Sequence, residues 1–279
     1  MKTRIPTLLA DFAIAGTLAF ASVATATATA PIIPGGPAGR GVCATQFAAL
    51  NAPVTVEALR AFGDCEIQRR FTTLDALAAR VSGSKVLTSS DAAALSGEIG
   101  ATRTGLTTLK ATIDAETSIP ALKSDVAMIA TSFRVYLLVA PQVHLVSGAD
   151  GVVASQTSFA KVNTNLAARI AAAKAAGKDT TAAQTALDAM NAAVTKAVGL
   201  AQPVSAEILP LTPAQYDGGT AGPIITSART ALGQARDQMK AAIADAKACR
   251  DALKALKLKY SRPAQDAALA FGREPRFFV

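Results

Sequence analysis

The chain has no tryptophan, one histidine, three tyrosines and three cysteines among its 279 residues. The absence of tryptophan and the scarcity of tyrosine argue against a deep aromatic ligand pocket. A single histidine, and cysteines without a Cys-x-x-Cys pair, exclude His-rich and common zinc sites as well as a dithiol redox site. The composition therefore predicts no metal site and no cofactor.

Sequence signatures of catalysis are also missing. The chain has no Gly-x-Ser-x-Gly elbow and no parallel-sheet pattern, and its acids are scattered rather than paired as in glycosidases. The glycine-rich run 35–41 lacks the Lys-Ser/Thr ending of a phosphate loop. We therefore predict no catalytic residues. The alternative is a hydrolase around His144, with Ser147 or Asp150 nearby. The spacing also allows His144, Arg134 and Tyr136 to form a polar cluster, whose role would be structural.

Residues 1–28 have the pattern of a secretory signal peptide. Lys2 and Arg4 precede an apolar run from Leu8 to Ala24, and small-x-small cleavage sites follow it. We expect a protein that is secreted or held at the extracellular face of the cell envelope. A retained membrane anchor is the alternative, but the run is short for a span. No later stretch is expected to be long and apolar enough to cross a bilayer.

Apolar residues recur at steps of three and four in five successive segments, which predicts an all-α fold. Alanine, the best helix former, is abundant, so the helices are expected to pack closely. We predict a disordered Pro/Gly-rich lead-in over residues 29–53, a helical bundle over 54–260 with its fifth helix at about 224–258, and a flexible tail over 261–279.

The segment lengths leave two arrangements open. The third segment, 120–176, is about twice as long as the first two helices. This favours an elongated antiparallel bundle of about five long helices, in which two three-helix units share a long central helix. The alternative is one compact bundle folded back at Pro141. Proline removes a backbone hydrogen bond, so we expect a kink or break at that residue.

Export would place the three cysteines in an oxidising compartment. We predict a Cys43–Cys65 disulfide that ties the lead-in to the first helix; a bridge to Cys249, or no bridge, are the alternatives. Cys249 lies on the apolar stripe of the fifth helix and is expected to be a small core residue.

Positive charge is concentrated near the C-terminus. The formal net charge is +8, and residues 229–276 contain eleven Lys or Arg against five acids. We assign the core of the fifth helix to heptad positions a and d, occupied by Leu232, Ala235, Met239, Ala242, Ala246, Cys249, Leu253 and Leu256. Seven basic residues then fall at the neighbouring positions b and e: Arg229, Arg236, Lys240, Lys247, Arg250, Lys254 and Lys257.

These seven residues, called here the basic stripe, are the candidate anion-binding site. Asp237, Asp245 and Asp251 fall at positions f and g, off the stripe. The expected partner is an anionic envelope polymer or a membrane surface. A solvated helix face, or pairing with acids of a neighbouring helix, is the alternative. Aromatic residues are not interleaved with the charges, so specific nucleic-acid binding is not expected.

Several stretches of the first three segments are distinctive together: 64–67 with Arg70, 84–88, 105–106 with 109–110, 113–117, and 134–136 through Pro141 to 143–145. They resemble a family of secreted, alanine-rich, all-helical bacterial proteins of uncharacterised function. The resemblance spans residues 55–260, although the last two segments share only composition and helical rhythm. It implies export and a helical fold, and it implies no activity. We therefore expect a secreted, non-enzymatic structural or interaction module.

Overall fold

A computed structural model of the chain describes residues 41–51 and 53–270, with side chains described through residue 256. All regular elements in these ranges are helical, which confirms the all-α prediction. The α-helices are α1 (Ala44–Ala48), α2 (Val56–Gly83), α3 (Ser89–Ala115), α4 (Ile119–Thr131), α5 (Ala140–Ala175), α6 (Thr181–Ala201), α7 (Val204–Ile208), α8 (Pro213–Asp217) and α9 (Ala221–Ala270). A 3-10 turn follows α1 at Ala49–Asn51, and a π-helical turn precedes α5 at Val135–Val139.

The predicted domain boundaries differ from the structure at both ends of the bundle. Residues 44–51 are helical although they belong to the predicted disordered lead-in, and α9 extends to Ala270, well into the predicted tail. The stretch 264–270 is rich in alanine, which sustains a helix without a sustained apolar stripe. The predictions for the signal peptide 1–28, for residues 29–40 and for 271–279 lie outside the described residues.

Threonine side chains cap the N-termini of the first two long helices, α2 and α3. The Thr55 hydroxyl accepts a hydrogen bond from the backbone N–H of Ala58 at 3.1 Å, and Thr88 does the same for Asp91 at 3.1 Å. Such N-caps satisfy backbone donors that have no partner within the helix. At the other end of α3, the Arg60 guanidinium donates to the carbonyls of Ile113 and Glu116. These contacts fix α2 and α3 as an antiparallel pair.

The break expected at Pro141 lies earlier in the chain. Helix α4 ends at Thr131, and Arg134 adopts the left-handed conformation with φ 44°. Pro141 instead occupies the first turn of α5, directly after the π-helical turn. Proline cannot donate to the carbonyl four residues before it and its ring crowds that carbonyl. The wider π turn accommodates this, so the helix continues through Pro141 and the prediction of a break there was wrong.

The bundle has two apolar cores in tandem, joined by α5 and α9. The first contains α2, α3, α4, the first half of α5, α7 and the beginning of α9. The second contains the second half of α5, α6 and the middle of α9. Two units that share a long helix therefore describe the molecule, but the shared helix α5 begins at Ala140 instead of residue 120, and α9 is shared as well. Only the second unit consists of three helices. The first unit also contains α7, the C-terminal end of α6 and the N-terminal end of α9.

Alanine forms much of the contact between α6 and α9, the most extensive helix pair of the described chain. The buried alanines of these two helices are Ala183, Ala193, Ala197, Ala201, Ala221, Ala228, Ala235, Ala242 and Ala246. A methyl side chain lets two helix backbones approach closely and has no rotamer entropy to lose. The expected close packing of alanine-rich helices is found here.

The beginning of α5 and the residues before it are enclosed by the first core. Between Leu138 and Asp150, all residues are buried except His144 and Gly148, which are one turn apart. Buried polar groups in such a segment need partners inside the protein. The Gln142 side-chain amide provides one solution, since Nε2 lies 3.1 Å from the carbonyl oxygen of Ile208 and 3.0 Å from that of Leu211. This contact attaches the end of α7 to α5.

One described segment, Ile119–Ala175, is long and apolar enough to cross a membrane by length and composition alone. Its most apolar window has a mean hydropathy of 1.5, so the expectation that no later stretch would qualify was wrong. Within the bundle, 44% of that window is buried. A helix enclosed by other helices has the same composition as a spanning helix, so this finding is weak evidence of a span.

A disulfide between Cys43 and Cys65 joins the segment before α1 to α2. The Phe47 ring of α1 lies beside that of Phe62, with 5.8 Å between the centroids. Cys249 is a free thiol, fully buried in the second core, where burial raises its pKa. The thiol is therefore both inaccessible and poorly ionised.

We expect mass spectrometry of the protein, isolated without reductant, to find the Cys43 and Cys65 peptides linked. Cys249 should react with an alkylating reagent only after unfolding, because its side chain is fully buried. Detection of three free thiols in protein isolated in this way would contradict this pairing.

A close contact at Gly105 gives a test of the first core. A Cβ added at Gly105 would overlap the ring of Phe133, whereas one added at Gly100 of the same helix meets nothing within 4 Å. Alanine at position 100 should stabilise the protein by up to about 1 kcal/mol through its helix propensity. Gly105→Ala should instead destabilise it by about 1 kcal/mol, because overpacking outweighs that gain.

Urea unfolding followed by far-UV circular dichroism measures both variants against the parent. If Gly105→Ala is stabilised as much as Gly100→Ala, the Phe133 ring does not occupy this position.

Candidate functional site

The heptad register predicted for α9 describes its buried face. Six of the eight predicted core residues are fully buried: Leu232, Ala235, Ala242, Ala246, Cys249 and Leu253. Met239 and Leu256 are partly buried against the first and second core, respectively. The rest of the surface of α9, here its outer face, carries the charged residues, and those at position e lie at the edge of that face beside the core.

The basic stripe lies on that outer face. Exposed side chains belong to Arg229, Arg236, Lys240, Lys247 and Lys254. Arg250 is half-buried, and the side chain of Lys257 lies outside the described part of the chain. From Arg229 to Lys254 the stripe extends about 38 Å along the helix. Ile243, which is 49% exposed, interrupts it near the middle.

The acids of α9 lie closer to the stripe than predicted. Asp237 pairs with Lys240 at 2.9 Å, and Asp251 lies 3.9 Å from Lys254. Position f of one heptad and position b of the next are three residues apart, which is within reach on a helix surface. Both pairs are exposed, so each is weak and leaves the lysine available to solvent. Lys247, Arg229 and Arg236 form no ion pair with a described residue.

A cleft of about 340 Å³ opens where the enclosed part of α5 meets the beginning of α9. It is lined by the polar residues Tyr136, His144, Arg229 and Arg236 and by the apolar residues Pro141, Leu145 and Leu232. We call it the Arg–His cleft. Gly148 of α5 faces α9 beside this cleft, since a Cβ at Gly148 would lie 3.4 Å from Leu232 Cδ1 and 3.8 Å from Arg236 Nη2. No acidic side chain belongs to this lining.

The Tyr136 wall of the Arg–His cleft is held from α2. The guanidinium carbons of Arg69 and Arg70 lie 5.0 and 5.2 Å from the centre of the Tyr136 ring. Both arginines also pair with Glu66, at 2.8 and 2.6 Å. The Tyr136 hydroxyl is buried and has no hydrogen-bond partner among the described residues. Arg134, a possible neighbour of His144 on sequence grounds, instead pairs with Asp217 and stacks over Tyr216.

His144 is partly buried in this cationic surrounding. Burial lowers the pKa of its imidazole below the usual 6.5, and the charge of Arg80 on α2 lowers it further. Folding therefore favours the neutral ring, and the stability that His144 contributes rises with pH until the pH passes 6.5. A neutral imidazole presents one N–H donor and one acceptor to the cleft.

The residues proposed for a hydrolase do not come together around His144. Asp150 accepts a hydrogen bond from the backbone N–H of Thr88 at 2.8 Å and so supports the start of α3. Burial raises the pKa of Asp150, with Asp91 adding to the effect. The Ser147 hydroxyl is buried without a partner among the described residues. Neither side chain lines the Arg–His cleft.

A second cleft, of about 550 Å³, lies beside the Cys43–Cys65 disulfide between α1 and α2. Its charged lining residues are engaged locally, since Asp64 pairs with Lys110 and Arg69 with Glu66. Among the residues that the structure describes, no group of three or more His, Cys, Asp or Glu side chains is arranged to hold a metal ion.

The protein is therefore a helical bundle with two cores, a basic outer face on α9 and a cationic cleft between α5 and α9. No protein-family model, curated protein or solved structure matches the chain. What the protein does is therefore inferred from the chemistry of its own surface.

Sequence reasoning found the basic stripe and His144 but not their connection. Arg229 and Arg236 were assigned to a stripe on the outer face, and the structure places both also at the wall of a cleft that contains His144. The positions of Arg69 and Arg70 over Tyr136 were not predicted either. These contacts join residues more than sixty positions apart, and no local pattern encodes them.

The pKa of His144 gives a test of the cleft's electrostatics. We expect a value below 6.5 in the parent protein, and Arg80→Gln should raise it while leaving it below 6.5, because burial is the larger cause. His144 is the only histidine, so a pH titration of the imidazole NMR signals reports on it alone.

Lys254→Gln, a change of equal charge at the distant end of α9, is the control and should leave the pKa unchanged. A parent value of 6.5 or above would contradict the burial of the ring beside Arg80.

Proposed function

We propose that the protein is a secreted, non-enzymatic interaction module that attaches to an anionic polymer of the cell envelope through the basic stripe of α9. The observation that carries this proposal is the exposure of Arg229, Arg236, Lys240, Lys247 and Lys254 along one outer helix face. A linear array about 38 Å long suits a chain of repeated negative charges better than a single small ion. Export is part of the proposal and rests on the leader-like residues 1–28.

A polymer is favoured over insertion into a membrane surface. A helix that lies in the membrane interface buries an apolar face among the lipids. The apolar face of α9 is already occupied by the two cores, so up to residue 256 this helix presents its charges and little else. Ile243 alone offers too little apolar area for such insertion.

The hydrolase alternative around His144 receives less support. A Ser-His-Asp arrangement needs a carboxylate that orients the imidazole and a hydroxyl within its reach. The charged group that lowers the His144 pKa is Arg80, and Asp150 is engaged with Thr88. A surrounding of cations suits the binding of an anion and opposes the imidazolium that such a mechanism would form.

Replacement of Lys240, Lys247 and Lys254 by Gln should weaken attachment while keeping the helix, because Gln is nearly as good a helix former as Lys. We expect the triple variant to elute from an immobilised anionic polysaccharide at lower salt than the parent. The interaction is screened, since the Debye length is only about 8 Å at physiological ionic strength.

A matched control removes the same charge elsewhere: Lys85, Lys123 and Lys174 are exposed residues outside α9, and all three are changed to Gln. This control should elute close to the parent. If both triple variants elute at the same salt, retention reflects net charge alone and the stripe is only a solvated face. Greater retention by anionic lipid vesicles than by the polysaccharide would favour the membrane surface instead.

A further inference from the structure

The Arg–His cleft lies at the only opening in the enclosed part of α5. His144 and Gly148 are the two positions between Leu138 and Asp150 that are not fully buried. The Arg236 guanidinium lies beside Gly148, and Arg229 lies two helical turns before Arg236 on α9. A buried helix wall is thus interrupted where two arginines and the single histidine meet.

Positive charge in the cleft is not neutralised by described side chains. Arg229 and Arg236 form no ion pair, and the lining contains no acid. Arg80 adds a further positive charge near His144, and Tyr136 completes the polar wall. Glu66, the acid in the adjoining network, is occupied by Arg69 and Arg70. Cations held close together without counter-charges attract an anion.

The donor groups specify the kind of anion. A guanidinium offers a planar fork of N–H donors that matches the paired oxygens of a carboxylate or a phosphate. The His144 ring can add a further donor. Pro141, Leu145 and Leu232 provide an apolar wall for the carbon atoms that carry the anionic group. The volume of about 340 Å³ exceeds that of a bare ion and leaves room for such a carbon body.

We infer that the Arg–His cleft is a discrete oxyanion-binding site that takes one carboxylate- or phosphate-bearing unit of the ligand, held by Arg229, Arg236 and His144. The inference rests on the proposed function and deepens it: the lysines of the stripe attract the polymer over a distance, and the cleft holds one of its units. A bound anion favours the charged imidazolium, so occupancy of the cleft raises the His144 pKa.

His144 is therefore a built-in reporter for the experiment. The pKa of its imidazole is measured by NMR in the mature full chain, at constant ionic strength set with sodium chloride. Glucuronate and glycerol phosphate are the probes, with glucose and glycerol as their neutral counterparts. We expect a saturable rise of the His144 pKa with an anionic probe and no change with the neutral ones. The stronger of the two anions identifies the source of the oxyanion.

Arg236→Gln should weaken the binding of that probe about tenfold, the effect of losing one charge-assisted hydrogen bond. The comparison uses the change that the probe causes, because loss of Arg236 by itself alters the starting pKa. Arg229→Gln should weaken binding in the same direction. Lys254→Gln, about 27 Å further along α9, is the matched control and should bind like the parent.

The inference is overturned if neither anion causes a saturable change, or if Arg236→Gln and Arg229→Gln bind the probe as tightly as the parent. These results are separable from the polymer experiment, which changes only lysines outside the cleft. Unaltered polymer retention in the lysine variant combined with a saturable His144 response would reject stripe-mediated attachment and leave the oxyanion site in place.

Discussion

The burial of the first half of α5 on almost every side is the constraint on which the rest of the structure depends. Such a helix offers little surface for solvating polar side chains, so the Gln142 amide and the Asp150 carboxylate are paired with the elements around it. Gln142 donates to carbonyls at the end of α7, and Asp150 accepts from the first turn of α3. These contacts determine where α3 and α7 lie against α5.

The two-core architecture follows from the length of α5. Its first half is enclosed by the first core, and its second half carries the narrower stripe that packs on α6 and α9. Alanine allows α6 and α9 to approach closely there, at the cost of a small apolar area for each residue. The outer face of α9 is therefore free to carry charge, because α5 and α6 cover only its inner face.

The same enclosure creates the cationic cleft. A helix wall without side chains at Gly148 and with a half-buried ring at His144 leaves a recess against α9. The nearby acids do not neutralise these arginines, since Asp150 accepts from Thr88 and Glu66 pairs with Arg69 and Arg70 of its own helix. Partial burial of His144 lowers the pKa of its imidazole, and the charge of Arg80 lowers it further.

The long helices α2, α3, α6 and α9 and the buried face of α9 were predictable from the sequence, because helix periodicity and capping are local and leave a direct trace in residue spacing. The Thr88 cap and the α9 register are examples. Only the tertiary structure decided the shift of the break from Pro141 to Arg134 and the meeting of Arg229, Arg236 and His144. Local spacing allows several backbone conformations and several sets of side-chain neighbours for these residues. Packing between distant segments selects one of them.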